Sequence, residues 1–354
     1  MAFPNGYGYR RKITIDNTKV SGGSNHSNFT VLISGVYDGT AGEPNLKDTG
    51  NGGYVQSSNG YDIIFTFDEA GNTQLDHEIE KYVAATGEIV MWVRIPTLLY
   101  NSDTIIYMWY GKSGASDPST TDTWNSNYKG VWHLGESAGD AKDSTSNGND
   151  GTFVGSLPDP KDGQIGKAQD LDGDDYISVP HSASIDLSEK SFSVSAWIDY
   201  SVAGMVIGKR TGGTTPYIYL WGAIAGKVNW ASINDIVNNA TPSCDTNFSV
   251  GQNYLVLVWN WSEKKAYLYL NGNEVGTATN ASVGDIDDGG DLGIGARGGD
   301  MGQNPAGLLD ECHLSTGIAL TADWIATEYN NQNSPSTFYS VGGLYIGMVS
   351  SDNF

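Results

Sequence analysis

Lys265-Ala266-Tyr267-Leu268-Tyr269-Leu270-Asn271-Gly272-Asn273-Glu274-Val275 sets two alternating segments around an Asn-Gly pair. Both central residues tolerate positive φ, as a two-residue hairpin turn requires, so the stretch predicts an antiparallel hairpin. Upstream and downstream, further short runs with period-two alternation predict strands at Tyr176 to Val179, Phe192 to Ile198, Met205 to Ile207, Tyr217 to Trp221, Lys227 to Ile233, Tyr254 to Trp261 and Leu308 to Leu314. Many short strands separated by turns favour a sandwich or jelly roll.

The N-terminal third repeats the pattern. Strands are expected in Arg11 to Asp16, Phe29 to Ile33, Tyr61 to Phe67, Glu78 to Val83, Glu88 to Ile95 and Thr104 to Tyr110. A Ser/Thr/Asp-rich stretch from Ser113 to Asn127 interrupts the alternation and marks a module boundary. One helix is expected near the C-terminus, with Thr321 as N-cap, Asp323 in the first turn, and Ile325 and Tyr329 four residues apart on one face. The expected architecture is all-β: two β-sandwich modules at residues 1–128 and 129–343, one short C-terminal helix, and a tail at 344–354. At 354 residues the chain suits two cores better than one.

The composition agrees with this reading: 46 glycines, 20 tyrosines and 10 tryptophans with only 17% charged residues describe turns joining aromatic strands. The net charge is −22, and residues 136–354 carry 27 Asp/Glu against 10 Lys/Arg. Such a surface repels phosphate backbones and anionic lipid, which disfavours nucleic acid and membrane partners and leaves cations and neutral glycans. Cys244 and Cys312 are the two cysteines, and sequence leaves their pairing open. The N-terminus shows no basic segment followed by an apolar core, and no apolar run reaches about 18 residues. Export by a cleaved signal or membrane insertion is therefore not expected, a pattern that suits a virion protein released by lysis.

Trp132-His133-Leu134, Asp143-Ser144-Thr145-Ser146-Asn147-Gly148-Asn149-Asp150-Gly151-Thr152, Phe192-Ser193-Val194-Ser195-Ala196-Trp197, Leu268-Tyr269-Leu270-Asn271-Gly272 and Gly307-Leu308-Leu309-Asp310-Glu311 occur in this order. Together they resemble a laminin-G-like, concanavalin A-like jelly roll. Tyr9-Arg10-Arg11-Lys12-Ile13-Thr14-Ile15, Leu75-Asp76-His77-Glu78-Ile79-Glu80 and Val90-Met91-Trp92-Val93 resemble a bacterial and phage β-domain of unknown function that often precedes such jelly rolls. The resemblance implies one calcium, with Asp143, Asn147 and Asp310 as its ligands. The other reading of the same loop is a turn organised by Asx residues. Asp170, Asp172, Asp174 and Asp175 lack the glycine and glutamate that an EF-hand needs at its sixth and twelfth positions. They read as a solvated turn or a weaker metal site, as do Asp285, Asp287, Asp288 and Asp291.

Sugar recognition needs exposed aromatic rings beside polar groups. Trp221, Trp230 and Tyr217 are the candidate ligand-binding residues, with Tyr219 nearby, against the alternative that such rings fill the sandwich interior. No catalytic set is expected. Gly135-Glu136-Ser137-Ala138-Gly139 matches a nucleophile elbow, but a polar stretch follows it where the elbow needs a helix. Asp76, Glu78 and Glu80 share one strand face and read as a charged surface. The five histidines show no close pairing in sequence. The chain is thus expected to be a non-enzymatic structural or adhesion protein of a phage-like virion or a cell surface. Its partners would be glycans or neighbouring subunits of a homo-oligomer or larger assembly. A calcium-dependent glycan-binding lectin and, less favoured, a polysaccharide-degrading hydrolase are the alternatives.

Overall fold

The Asn-Gly hairpin forms as its residues require. Lys265–Leu270 pairs antiparallel with Asn273–Thr279, and Asn271 and Gly272 both adopt positive φ, 51° and 78°. A Cβ on Gly272 would lie 3.1 Å from the Tyr329 Cβ, so the turn is closed against the helix Ala322–Asn333. That helix starts where the sequence places it: the Trp324 amide donates to the Thr321 hydroxyl, and Ile325 is fully buried.

The computed structural model describes residues 3, 5–212, 216–224, 229–244, 250–287 and 289–347. The chain divides into two compact units, Met1–Thr123 with Asn330–Phe354, and Trp124–Tyr329. In both, the strand ladders are antiparallel.

The second unit is a two-layer sandwich. One layer runs in the order Asn273–Thr279, Lys265–Leu270, Asn253–Asn260, Phe192–Val202, Ala306–Thr316, Lys167–Asp172 and Pro160–Asp162, with Tyr128–Trp132 also paired to Ala306–Thr316. The other runs Asn239–Ala240, Trp230–Asn234, Tyr217–Gly222, Gly204–Lys209, Leu292–Ile294, Tyr176–Val179 and Thr152–Val154. Alternate residues of each layer, among them Val194, Leu255, Leu257, Leu268, Ile218, Leu220, Ala231, Ile233 and Ile294, form one continuous apolar core. Cys244 and Cys312 belong to this core and no disulfide joins them.

The first unit holds a four-stranded sheet, Tyr339–Ile346, Tyr9–Ile15, Thr104–Tyr110 and Ile64–Thr66, and a three-stranded sheet, His26–Val36, Glu88–Leu98 and His77–Val83. The segment after Tyr329 belongs to this unit because Tyr339–Ile346 pairs with Tyr9–Ile15. A tail beginning at 344 thus overlaps the end of a strand, and residues 348–354 lie outside the described ones. The Tyr339 hydroxyl both donates to the Ser34 carbonyl and accepts from the Ser34 amide. A single helical turn, Pro335–Phe338, precedes this strand and was not foreseen.

Several other elements differ from expectation. Tyr61 to Phe67 contributes only Ile64–Thr66, because Asp62 caps a turn through the amides of Gln56, Ser57 and Gly111. The acidic run near 170 is partly strand, Lys167–Asp172. Lys227, the expected start of a strand, lies outside the described residues, and the observed strand is Trp230–Asn234.

Replacing Gly272 by alanine forces an L-residue into positive φ and against Tyr329. The expected loss is about 1–2 kcal/mol of unfolding free energy in denaturant titration. An unchanged midpoint would contradict the closed turn.

Candidate functional site

Alternation along Tyr217–Gly222 buries Ile218 and Leu220 and turns Tyr217, Tyr219 and Trp221 to the opposite face. The neighbouring strand pairs Tyr217 with Asn234, Tyr219 with Ser232 and Trp221 with Trp230. Four rings, one serine and one asparagine therefore share a face. Tyr217 and Tyr219 stack at 4.3 Å between ring centroids, and Trp221 and Trp230 stack at 5.5 Å. The three residues expected to bind ligand, Trp221, Trp230 and Tyr217, are brought together here and remain partly exposed. Tyr219 is 7% exposed, and its buried hydroxyl has no hydrogen-bond partner among the described residues.

Sequence reasoning missed the charged border of this face. The Arg210 guanidinium lies 5.9 Å from the Tyr219 ring and donates to Asp300 at 2.9 Å. Arg297 clamps the same carboxylate through Nε at 3.0 Å and Nη2. The Arg297 hydrogen bond is the largest influence on the Asp300 carboxyl; burial opposes it, and the Arg210 hydrogen bond with the charges of both arginines tips the balance, holding the group down at about 2. Gly208 opposes Tyr219 in the sheet, and a Cβ there would sit 2.7 Å from the Arg297 Cα. The missing side chain lets the Arg297 turn lie over the strand. The pair Gly298-Gly299 between Arg297 and Asp300 was the available signal.

The expected calcium loop is built differently from a cation site. Asp143 accepts from the amides of Val131 (3.1 Å), Thr145 (2.9 Å) and Asn149 (2.8 Å) and from the Thr145 hydroxyl (2.9 Å). Four donors converge on its two oxygens, so a cation would have to displace them. Asn147 turns its amide nitrogen to the Tyr128 carbonyl and the Thr145 hydroxyl. Asp310 is fully buried, and its Oδ2 accepts from the Ile165 amide. Asp143 and Asn147 thus meet at Thr145, while Asp310 bonds to a different segment. The donor set around Asp143 does not fit calcium. It fits a turn organised by a buried carboxylate.

The other acidic runs are mostly engaged as well. Asp175 is buried and accepts from the amide and hydroxyl of Ser156 and the amide of Asp172. Asp172, Asp174 and Asp175 bring carboxylate oxygens within 4.8 Å of one another. Asp287 forms a 2.6 Å ion pair with Lys209, both side chains 1% exposed, and Asp291 accepts from the His181 amide. Asp288 lies outside the described residues.

A buried polar cluster was not foreseen either. His133 Nδ1 lies 2.9 Å from both oxygens of Glu311, and His313 Nε2 lies 3.0 Å from Oε2. Glu328, on the helix Ala322–Asn333, accepts from the hydroxyls of Tyr128 and Tyr254 and from Trp324 Nε1. Close pairing of His133 and His313 arises only through the strand register, Val131 opposite His313, and sequence spacing hides it.

The motifs that suggested catalysis are placed in ordinary surroundings. Ser137 is exposed in a loop with no helix after it. Asp76 is ion-paired to Arg94, and Glu80 accepts from Trp92 Nε1.

Residues 171–326 match the profile of the Concanavalin A-like lectin/glucanases superfamily. The second unit carries a concanavalin A-like domain. Residues 50–130, ahead of it, match a domain of unknown function, DUF2341. No curated protein matches the chain. Among solved structures, domain 4 of an extracellular arabinanase from Geobacillus stearothermophilus, in complex with arabinotriose, is 20% identical with a TM-score of 0.47. That match covers 58% of this chain and 98% of the other. The binding domain of Paraclostridial Mosquitocidal Protein 1 is 15% identical at a TM-score of 0.47, covering 57% of this chain and 52% of its own. The CBM40 of the Ruminococcus gnavus IT-sialidase, bound to α2,3-sialyllactose, is 13% identical at 0.36, covering 44% and 95%. No helix among the described residues is long and apolar enough to cross a membrane.

Burial alone would raise the Glu311 carboxyl, but His133 and His313 outweigh it and hold the group below the usual glutamate value. A depressed folded value means stabilisation that is present above the unfolded pKa and is lost as pH falls through the folded one. The concanavalin A-like domain is therefore expected to lose stability progressively below about pH 4.3, the ordinary glutamate value. Glu311→Gln should cost about 3 kcal/mol at neutral pH and flatten that acid limb in pH-dependent denaturant melts. A variant with the parent's acid limb would show that the pair does not carry it.

Proposed function

We propose that the concanavalin A-like domain binds neutral carbohydrate on the face formed by Tyr217, Tyr219, Trp221, Trp230, Ser232 and Asn234, and that it does so without catalysis. The carrying observation is the row of two stacked ring pairs on the sheet face turned away from the core, in which Tyr217, Trp221 and Trp230 stay partly exposed. Aromatic faces supply apolar contact for the C–H side of a sugar ring, while Asn234 and the Tyr217 hydroxyl, at the partly exposed end of the face, supply directional bonds.

Charge supports the choice of a neutral glycan. The chain carries −22 overall, and the arginines bordering the face are already committed to Asp300. Calcium has no part in this reading, since none of the face's residues is an acidic ligand. A binding role without turnover is supported by the engagement of Asp76 and Glu80 in contacts of their own and by the isolated setting of Ser137. The use for such a domain is decoration or attachment on a virion or cell surface. An oligomeric assembly there would multiply weak single-site affinity.

A glycan array probed with the full chain tests this directly. Binding to one or more neutral oligosaccharides is expected, unaffected by chelator. Trp221→Ala, with an unaltered melting temperature, should weaken it about tenfold, the effect of losing one aromatic contact of about 1.4 kcal/mol. A silent array would sink the reading, and full binding by the variant would sink the site.

A further inference from the structure

The opposite layer of the same domain carries a second cleft of different chemistry. Along Lys265–Leu270, Lys265, Tyr267 and Tyr269 share the face turned away from the core, while Ala266 and Leu268 are buried in it. A cleft of about 280 Å³ opens there, lined by Val258, Tyr267, Tyr269, Glu263, Glu274 and Thr321 among others. Its size sits at the lower end for small-molecule sites, about 300 Å³, enough for one or two small rings and too small for a folded partner.

We propose that this cleft binds an amino sugar, with its ammonium group held between Glu263 and Glu274 against the tyrosine rings. Three observations carry the assignment. First, Tyr269 is 3% exposed and lines the cleft, yet its hydroxyl makes no hydrogen bond among the described residues. Second, two exposed glutamates from different segments flank the same pair of rings: Glu263 accepts from the Tyr267 hydroxyl, and Glu274 lies opposite Tyr269 in the ladder. Third, the rings already attract a cation, since the Lys265 ammonium sits 4.3 Å from the Tyr267 centroid. With two carboxylates against one ammonium, the cleft keeps a net negative charge that an incoming ammonium neutralises.

The hydroxyls of Tyr269 and Thr321 give the sugar's own hydroxyls partners, which a bare alkylamine would leave unused. Burial and the neighbouring Glu274 push the Tyr269 phenol up to about 12, so it stays a neutral hydroxyl across the physiological range. The assignment does not rest on the neutral-glycan face, which lies on the other layer of the sandwich.

Isothermal titration of the full chain with the glucosamine trisaccharide and with its fully N-acetylated counterpart separates the possibilities, because the two probes differ in amine charge. The charged trisaccharide is expected to bind at least tenfold more tightly, with affinity falling as salt rises. Glu263→Gln/Glu274→Gln should lose most of that preference, and Tyr269→Phe should lose several-fold for the charged trisaccharide. Both titrations are repeated in Trp221→Ala, which weakens the aromatic face, and the preference for the charged trisaccharide is expected to persist there, so failure of this site and failure of the aromatic face read out separately. Equal binding of the two trisaccharides, no binding of either, or an unaltered preference in the double glutamine variant would overturn the proposal. Lysine amide binding as tightly as the charged trisaccharide would overturn the sugar assignment.

Discussion

Strand register against a sealed core is the constraint on which the rest of the structure depends. A strand with one face buried cannot slip by a single residue without exchanging its whole apolar set for its polar one. In Tyr217–Gly222, burial of Ile218 and Leu220 fixes the outward direction of Tyr217, Tyr219 and Trp221. In Lys265–Leu270, burial of Ala266 and Leu268 does the same for Lys265, Tyr267 and Tyr269. Each outward row is thus a by-product of the core. Both candidate sites are built on antiparallel ladders, and loops supply only their borders.

Carboxylates in this acidic domain are used mainly as acceptors for the backbone. Asp143, Asp175 and Asp287 each gather amides from separate stretches of chain, and Glu311 and Glu328 tie strands and a helix together from buried positions. In the Asp143 loop, backbone and hydroxyl donors occupy both carboxylate oxygens. The same residue types at the same spacing serve calcium in other settings, and the difference lies in which way the surrounding N–H groups point. At Asp143 they point inward.

The fold was legible because alternation and turn chemistry are local. The Asn271-Gly272 hairpin, the Thr321 cap and most long strands follow from a few neighbouring residues. Strands of two or three residues, such as Thr152–Val154 and Leu292–Ile294, are too short for period-two alternation to register and exist only through their partners. The return of Tyr339–Ile346 to Tyr9–Ile15 joins residues more than 300 positions apart, which spacing cannot show. The aromatic face was legible in part: Tyr217, Trp221 and Trp230 stand out by type and alternation. Arg210, Arg297 and Asp300 come together only through the order of strands, and the His133–Glu311–His313 cluster only through register.

Amide hydrogen exchange of the full chain, with and without a neutral oligosaccharide that the protein retains, is the most direct test of the account. Added protection is predicted in Tyr217–Gly222 and Trp230–Asn234, with the first unit unchanged. Protection confined to the first unit, or none in these two strands, would contradict it.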